Sequence, residues 1–258
     1  MSIRMEKLYI PTRLGEIAVY RRTADNHRTP LVMLHGVYFD HRLWKHQVTA
    51  VSDRTLILPD MPLHGDSRQI AKSNWNLDDC GGMLLDILDY LKIPEVIAVG
   101  HSWGSMSILR AAARAPERFE SLLLCNMPFQ AARPKQQFIF RLQHLMLPFR
   151  SFYTRQAAAS LFGKRSLRHQ PELYGELERP MRILSHRDIR NIDRKVILEA
   201  TDAGHLMEQL PTMAIALKGE EDYVPAPQHL QTIVVEGGHI SPLEAPEQVN
   251  ACLGMLLN

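Results

Sequence analysis

The chain is poor in cysteine, with three in 258 residues. Cys80, Cys125 and Cys252 are widely spaced and odd in number, so they form neither a disulfide framework nor a C-x-x-C metal pattern. Each falls in an apolar segment, which predicts buried free thiols in a reducing compartment. No run approaches the roughly 18 to 20 apolar residues of a membrane span. Met1 to Pro11 holds Arg4, Glu6 and Lys7 but no apolar h-region, which argues against a secretory leader. Net charge is small as well: 30 Lys and Arg stand against 28 Asp and Glu, so the overall balance of +2 selects no partner. Repeats and low-complexity tracts are absent. The expectation is a soluble, cytoplasmic globular protein.

What is present is an alternation of short apolar runs and helical patterns. Lys7–Ile10 and Glu16–Tyr20 read as strands joined by a turn at Arg13-Leu14-Gly15. Leu31–Leu34 and Leu56–Leu58 are continuous apolar runs, as expected of central parallel strands. Trp44–Val51 and Leu77–Lys92 read as helices, the second with Cys80, Leu84, Ile87, Leu88 and Leu91 at helical spacing. After Leu122–Cys125 the rhythm breaks, and it resumes with Met213–Leu217, Thr232–Val235 and a helix from Pro246. The pattern predicts an α/β core of residues 1–126 and 211–258, interrupted by a helical insertion over 127–210.

The stretch most informative about chemistry is Val96–Val99, then Gly100-His101-Ser102-Trp103-Gly104, then a run rich in small residues to Ala115. This predicts a buried strand, a very tight turn and a helix, with Ser102 at the apex in a strained conformation. The flanking glycines remove side chains that would collide there. G-x-S-x-G in a strand–turn–helix context is the nucleophile-elbow pattern. A serine hydroxyl needs a base, and the base an orienting carboxylate. In this architecture they follow in the order acid, then histidine, on loops after late strands. Glu220-Glu221-Asp222 follows the run from Met213, and Gly237-Gly238-His239 follows the run from Thr232.

With these pieces the chain resembles the α/β-hydrolase superfamily, in its esterase, lipase and peroxidase-like branch. The matching segments are His35-Gly36, Asp60–Ser67, the elbow, Gly219-x-x-Asp222-x-Val224-Pro225, and Gly238-His239 with Glu244–Glu247. The resemblance implies an α/β-hydrolase fold, a mostly parallel sheet flanked by helices with an inserted helical cap. It implies Ser102 as nucleophile, His239 as general base and Asp222 as its orienting carboxylate, with Glu220 and Glu221 as competing acids. The implied oxyanion donors are the backbone N–H groups of Val37 and Trp103. The Trp103 ring either lines an acyl pocket or only packs. His101 is expected to point away from the nucleophile. Leu63 and Ser105 stand where the family usually has glycine, which bears on local loop geometry and not on chemistry. The two Asp and the His of Asp60–Ser67 read as a hydrogen-bonded turn in preference to a metal site. No cofactor is implied.

The expected function is therefore a serine hydrolase that cleaves an ester, thioester or lactone through an acyl-enzyme. Carbon–carbon bond hydrolysis with the same triad, and a non-catalytic ligand receptor on this fold, are the alternatives. One local absence bears on partners. Between Glu120 and Glu172 there is no Asp or Glu, yet Arg133, Lys135, Arg141, Arg150, Arg155, Lys164, Arg165 and Arg168 occur among apolar residues. This fits a cap whose apolar face covers the pocket while its basic face is solvated. It also fits a surface for an anionic acyl carrier, such as coenzyme A or a carrier protein, or for an anionic membrane. Nucleic-acid binding is not expected, because no recognised module accompanies the charge.

Overall fold

The computed structural model describes residues 5–257. Met1–Arg4, the start of the stretch read as lacking a leader, lie outside them. Eight strands form one sheet: β1 (Glu6–Thr12), β2 (Gly15–Arg22), β3 (Leu31–Leu34), β4 (Leu56–Pro59), β5 (Val96–His101), β6 (Phe119–Cys125), β7 (Met213–Gly219) and β8 (Gln231–Val235). Their order is β1-β2-β4-β3-β5-β6-β7-β8. The pairings are parallel from β4 onward, while β1–β2 and β2–β4 are antiparallel. All residues of β3, β4 and β5 are buried, which is why these strands read as unbroken apolar runs. The edge strands β1 and β8 carry most of their residues exposed or half-buried.

The helices of the core are α1 (Lys45–Ala50), α2 (Leu77–Tyr90) and α3 (Trp103–Arg114), with α10 (Ser241–Glu244) and α11 (Pro246–Leu257) at the end of the chain. A capping box starts α2: Asn76 accepts from the Asp79 N–H, and Asp79 accepts from the Asn76 N–H. Between β6 and β7 the chain leaves the sheet and forms only helices: α4 (Pro134–Gln143), α5 (Arg150–Leu161), α6 (Lys164–His169), α7 (Leu173–Met181), α8 (His186–Asp193) and α9 (Gly204–Glu208). The strands on either side of this excursion are sheet neighbours, Ser121 pairing with Met213 and Cys125 with Leu217. The excursion therefore leaves from the end of β6 next to the elbow, and re-enters at the start of β7, beside the opposite end of β6. All three cysteines are free and buried, and burial pushes their thiols up. Among the described residues no helix is long and apolar enough to cross a membrane.

Candidate active site

The turn between β5 and α3 is closed by sterics. Ser102 has φ 50° and ψ −111°, a conformation rare for a residue with a side chain. A Cβ on Gly100 would lie 2.4 Å from the Ser105 nitrogen, and one on Gly104 would lie 2.0 Å from the Leu34 carbonyl oxygen. Only glycine lets α3 begin this close to β3 and β5, and that proximity lifts Ser102 to the apex. Ser105, at a position where the family usually has glycine, fits by turning its hydroxyl onto the Cys125 carbonyl at 3.1 Å. Leu63, the other such position, takes φ 68°, a left-handed conformation that glycine would reach at lower cost.

The structure brings Ser102, His239 and Asp222 together. The Ser102 hydroxyl lies 3.0 Å from His239 Nε2, and His239 Nδ1 lies 2.9 Å from Asp222 Oδ1. All three are buried. Burial by itself would raise the Asp222 carboxyl, but His239, the Asn126 amide and the Val224 N–H outweigh it and hold the group below its ordinary value. A carboxylate beside Nδ1 makes that nitrogen the donor, which leaves Nε2 free to accept from the serine. Glu220 and Glu221, the competing acids, face elsewhere. Glu221 accepts from the Lys164 and Arg165 N–H groups at the start of α6, and Glu220 pairs with Arg165.

The two backbone groups proposed for an oxyanion flank the serine. Trp103 is the first residue of α3, so its N–H has no intrahelical partner. Val37 follows Gly36, where an added Cβ would come within 3.1 Å of the Ser102 Cβ, so the loop after β3 runs directly past the nucleophile. The Trp103 ring itself is fully buried and stacks on Trp75, with centroids 5.7 Å apart; it packs below the site.

Several residues of this site carried no assigned role in the sequence. Asn126, at φ 51°, donates from Nδ2 to Asp222 Oδ2 at 2.8 Å and to the Gly238 carbonyl at 3.2 Å. Glu244 is buried and accepts from the N–H groups of Gly238 and Ile240, on either side of His239, and from Gly163 between α5 and α6. The His239 N–H donates to the Leu161 carbonyl at 2.7 Å. The Tyr223 ring stacks on the His239 imidazole, with centroids 4.8 Å apart. Above the loop after β3, the Tyr38 hydroxyl donates to Asp193 Oδ1 at 2.5 Å, and Tyr153 and His144 reach the same buried carboxylate. The helical excursion is thus tied to both sides of Ser102. Position 244 lay inside a quoted motif, so its spacing from His239 was a usable signal; the Tyr38–Asp193 contact had none.

Three other histidines are buried structural groups. His101 donates from Nε2 to the His239 carbonyl at 2.7 Å, as a neutral ring turned away from the nucleophile. His64 accepts the Tyr38 N–H and donates from Nδ1 to the Pro62 carbonyl; His35 accepts the Met61 N–H. The Asp60–Ser67 segment is a turn, with Asp60 accepting from the Asp66 and His41 N–H groups. Burial lowers His64 and His101 to about 3, and lowers His35 as well. These rings stay neutral in the folded chain while an unfolded histidine protonates below about pH 6.5. Their contribution is therefore whole above that pH and is lost as pH falls toward the folded values. His64 and His101 together should remove about 3 kcal/mol of stability per pH unit between about pH 6 and 4. Urea unfolding at stepped pH checks this. A stability that stays flat across that window would show the rings are already charged in the fold.

Among the described residues no group of three or more His, Cys, Asp or Glu is placed to hold a metal ion. The geometry offers instead a hydroxyl, an imidazole and a buried carboxylate in one hydrogen-bonded line, with the backbone of Trp103 and of the loop after β3 beside it.

Comparison with known proteins agrees with this architecture. The chain is 26% identical over 238 residues to the dihydrolipoyllysine-residue acetyltransferase component of the acetoin cleaving system of Pseudomonas putida, an alignment that covers 86% of this chain and 61% of that one. It is 30% identical over 102 residues to an epoxide hydrolase of Caballeronia sordidicola, covering 38% of this chain and 31% of that protein. The chain thus spans less than two thirds of the length of either relative. Among solved structures, the enol-lactonase of Burkholderia xenovorans LB400 superposes with a TM-score of 0.84 over 97% of this chain and 99% of that one, at 17% identity. Residues 29–173, more than half of the chain, match the family described as alpha/beta hydrolase fold. With the eight-stranded sheet, the elbow and this match in agreement, the chain belongs to the α/β-hydrolase fold family.

Proposed function

We propose that the protein is a serine hydrolase that cleaves an ester, thioester or lactone through an acyl-enzyme. The observation that carries this reading is the continuous hydrogen-bonded line from the Ser102 hydroxyl through His239 to Asp222. In the first step His239 Nε2 takes the hydroxyl proton as Ser102 Oγ attacks the carbonyl carbon. The negative charge that develops on the carbonyl oxygen is met by the Val37 and Trp103 N–H groups, and loss of one such donor typically costs ~3–4 kcal/mol of transition-state stabilisation. The imidazolium, steadied by Asp222, then returns the proton to the leaving oxygen or sulfur. A water molecule, deprotonated by His239, attacks the acyl-enzyme and releases the acid.

The epoxide hydrolase relative raises a different chemistry, in which a carboxylate nucleophile stands at the elbow apex. Position 102 is serine, which favours acyl transfer. The helical excursion over residues 127–210 serves in this reading as the cap that covers the site and sets substrate choice.

The decisive experiment also separates an enzyme from a ligand receptor on the same fold. A fluorophosphonate probe should label the folded parent protein at Ser102 and leave the Ser102→Ala variant unlabelled. A folded parent that resists the probe removes the hydrolase reading.

A further inference from the structure

Thirteen large apolar side chains are markedly exposed among the described residues, and six of them fall within residues 138–152. They are Phe138, Ile139, Leu142, Leu145, Phe149 and Phe152, each between 42% and 67% exposed. Phe138 and Leu142 lie one turn apart on α4, Leu145 lies in the short turn that follows it, and Phe149 and Phe152 lie at the start of α5. Helix α4 buries no side chain at all. A helix stripe that should face a core therefore faces outward, and a concentration of exposed apolar surface of this kind marks an interaction site.

The charge around this face decides what it meets. Arg133, Lys135, Arg141 and Arg155 are exposed and have no acidic partner among the described residues; the ion pairs of the excursion are made by other residues, such as His144, Arg165 and Arg179. No Asp or Glu occurs from Ser121 to Pro171. We infer that the α4–α5 face docks on an anionic phospholipid bilayer, with the apolar side chains entering the interface and the four cations at the headgroups. A second copy of this chain fits poorly, because two-fold pairing would set the same unpaired cations against each other. An acidic carrier protein would use the cations but leave six exposed apolar side chains without a partner.

Helix α5, which this face includes, is bonded to the loops on both sides of Ser102. Tyr153 of α5 meets the Tyr38 hydroxyl at 3.1 Å, and the Leu161 carbonyl holds the His239 N–H. Docking by the outer face of α4 and α5 therefore brings the bilayer next to the helix bonded to these loops. On the hydrolase reading, on which this one step rests, the substrate is an apolar ester drawn from the bilayer. The docking itself is independent of that reading.

Vesicle co-sedimentation of the full Ser102→Ala chain tests docking with no turnover involved. Vesicles of phosphatidylcholine alone are compared with vesicles of phosphatidylcholine and phosphatidylglycerol, at low and high salt. Partition onto the anionic vesicles should exceed that onto neutral ones by at least about thirty-fold, and should weaken with salt. Arg141→Gln with Arg155→Gln should lower it about thirty-fold. Phe138→Ser, Leu145→Ser and Phe149→Ser together should lower it by about tenfold or more, with far-UV circular dichroism and melting unchanged. Equal partition onto both vesicle types, or partition untouched by either set of substitutions, overturns the proposal. So does a solution dimer broken by Phe138→Ser, or capture by an acidic acyl-carrier protein in the absence of vesicle binding.

Discussion

Replacing His239 by alanine should lower kcat toward an activated ester by about 10⁴- to 10⁶-fold, with the fold retained. On the proposed mechanism the imidazole takes the Ser102 proton, and among the described residues no other side chain is bonded to that hydroxyl. His101, the nearest neighbour in sequence, is committed to the His239 carbonyl and is held neutral by burial, so it offers no substitute base. Ser102→Ala should fall to the same floor, and the double variant should fall no further, because the two groups act as one unit and their losses do not add. The floor itself should stay above the uncatalysed rate, since the Val37 and Trp103 N–H groups remain. Steady-state kinetics on the three variants reads all of this at once. A His239→Ala variant within tenfold of the parent rate, or losses that multiply in the double variant, would remove His239 as the base.

How much of this was legible before the fold was known differs from residue to residue. Ser102 was legible because its constraint is local: the glycines at 100 and 104 are required by contacts within a few residues of the turn and one neighbouring strand. The buried strands were legible for the same reason, as β3 and β5 are apolar on both faces and need no register to be recognised. For Asp222, spacing from Gly219 and to Val224-Pro225 favoured it over the competing Glu220 and Glu221 but did not show where those two turn. What separates it from Glu221 is that Glu221 is drawn to the N–H groups of Lys164 and Arg165, 57 and 56 residues away in the chain, a contact no spacing rule reports. Asn126 stood only as the last core residue before the pattern breaks, yet its left-handed backbone aims the amide at Asp222. The Tyr38–Asp193 bond joins residues 155 apart. For residues 133–153, the sequence showed apolar residues interleaved with basic ones but not which way they turn. A cap that turned its apolar face inward was the ordinary expectation, and the structure turns Phe138, Leu142 and Leu145 out while Leu147 and Tyr153 are buried.

The proposed orienting carboxylate, Asp222, admits an equally sharp test. Asp222→Asn should lower kcat by about 10⁴-fold with little loss of fold. Asp222 accepts at both oxygens: Oδ1 from His239 and the Val224 N–H, Oδ2 from Asn126. An asparagine has one oxygen to offer. Placed toward His239, it turns its NH₂ group against the Asn126 amide, which the Gly238 carbonyl fixes in place. Placed toward Asn126, it opposes the Val224 N–H and forces the imidazole proton onto Nε2, where it blocks acceptance from Ser102. Neither arrangement supplies the negative charge that steadies the imidazolium. Glu221→Gln is the matched control. It keeps an acceptor for the start of α6 and stands outside the line from Ser102 to Asp222, so kcat should stay within a few-fold of the parent. Circular dichroism on both variants separates loss of chemistry from loss of structure. If Glu221→Gln proves the crippled enzyme and Asp222→Asn the tolerated one, the orienting carboxylate is Glu221, and the loop after β7 must rearrange when substrate binds.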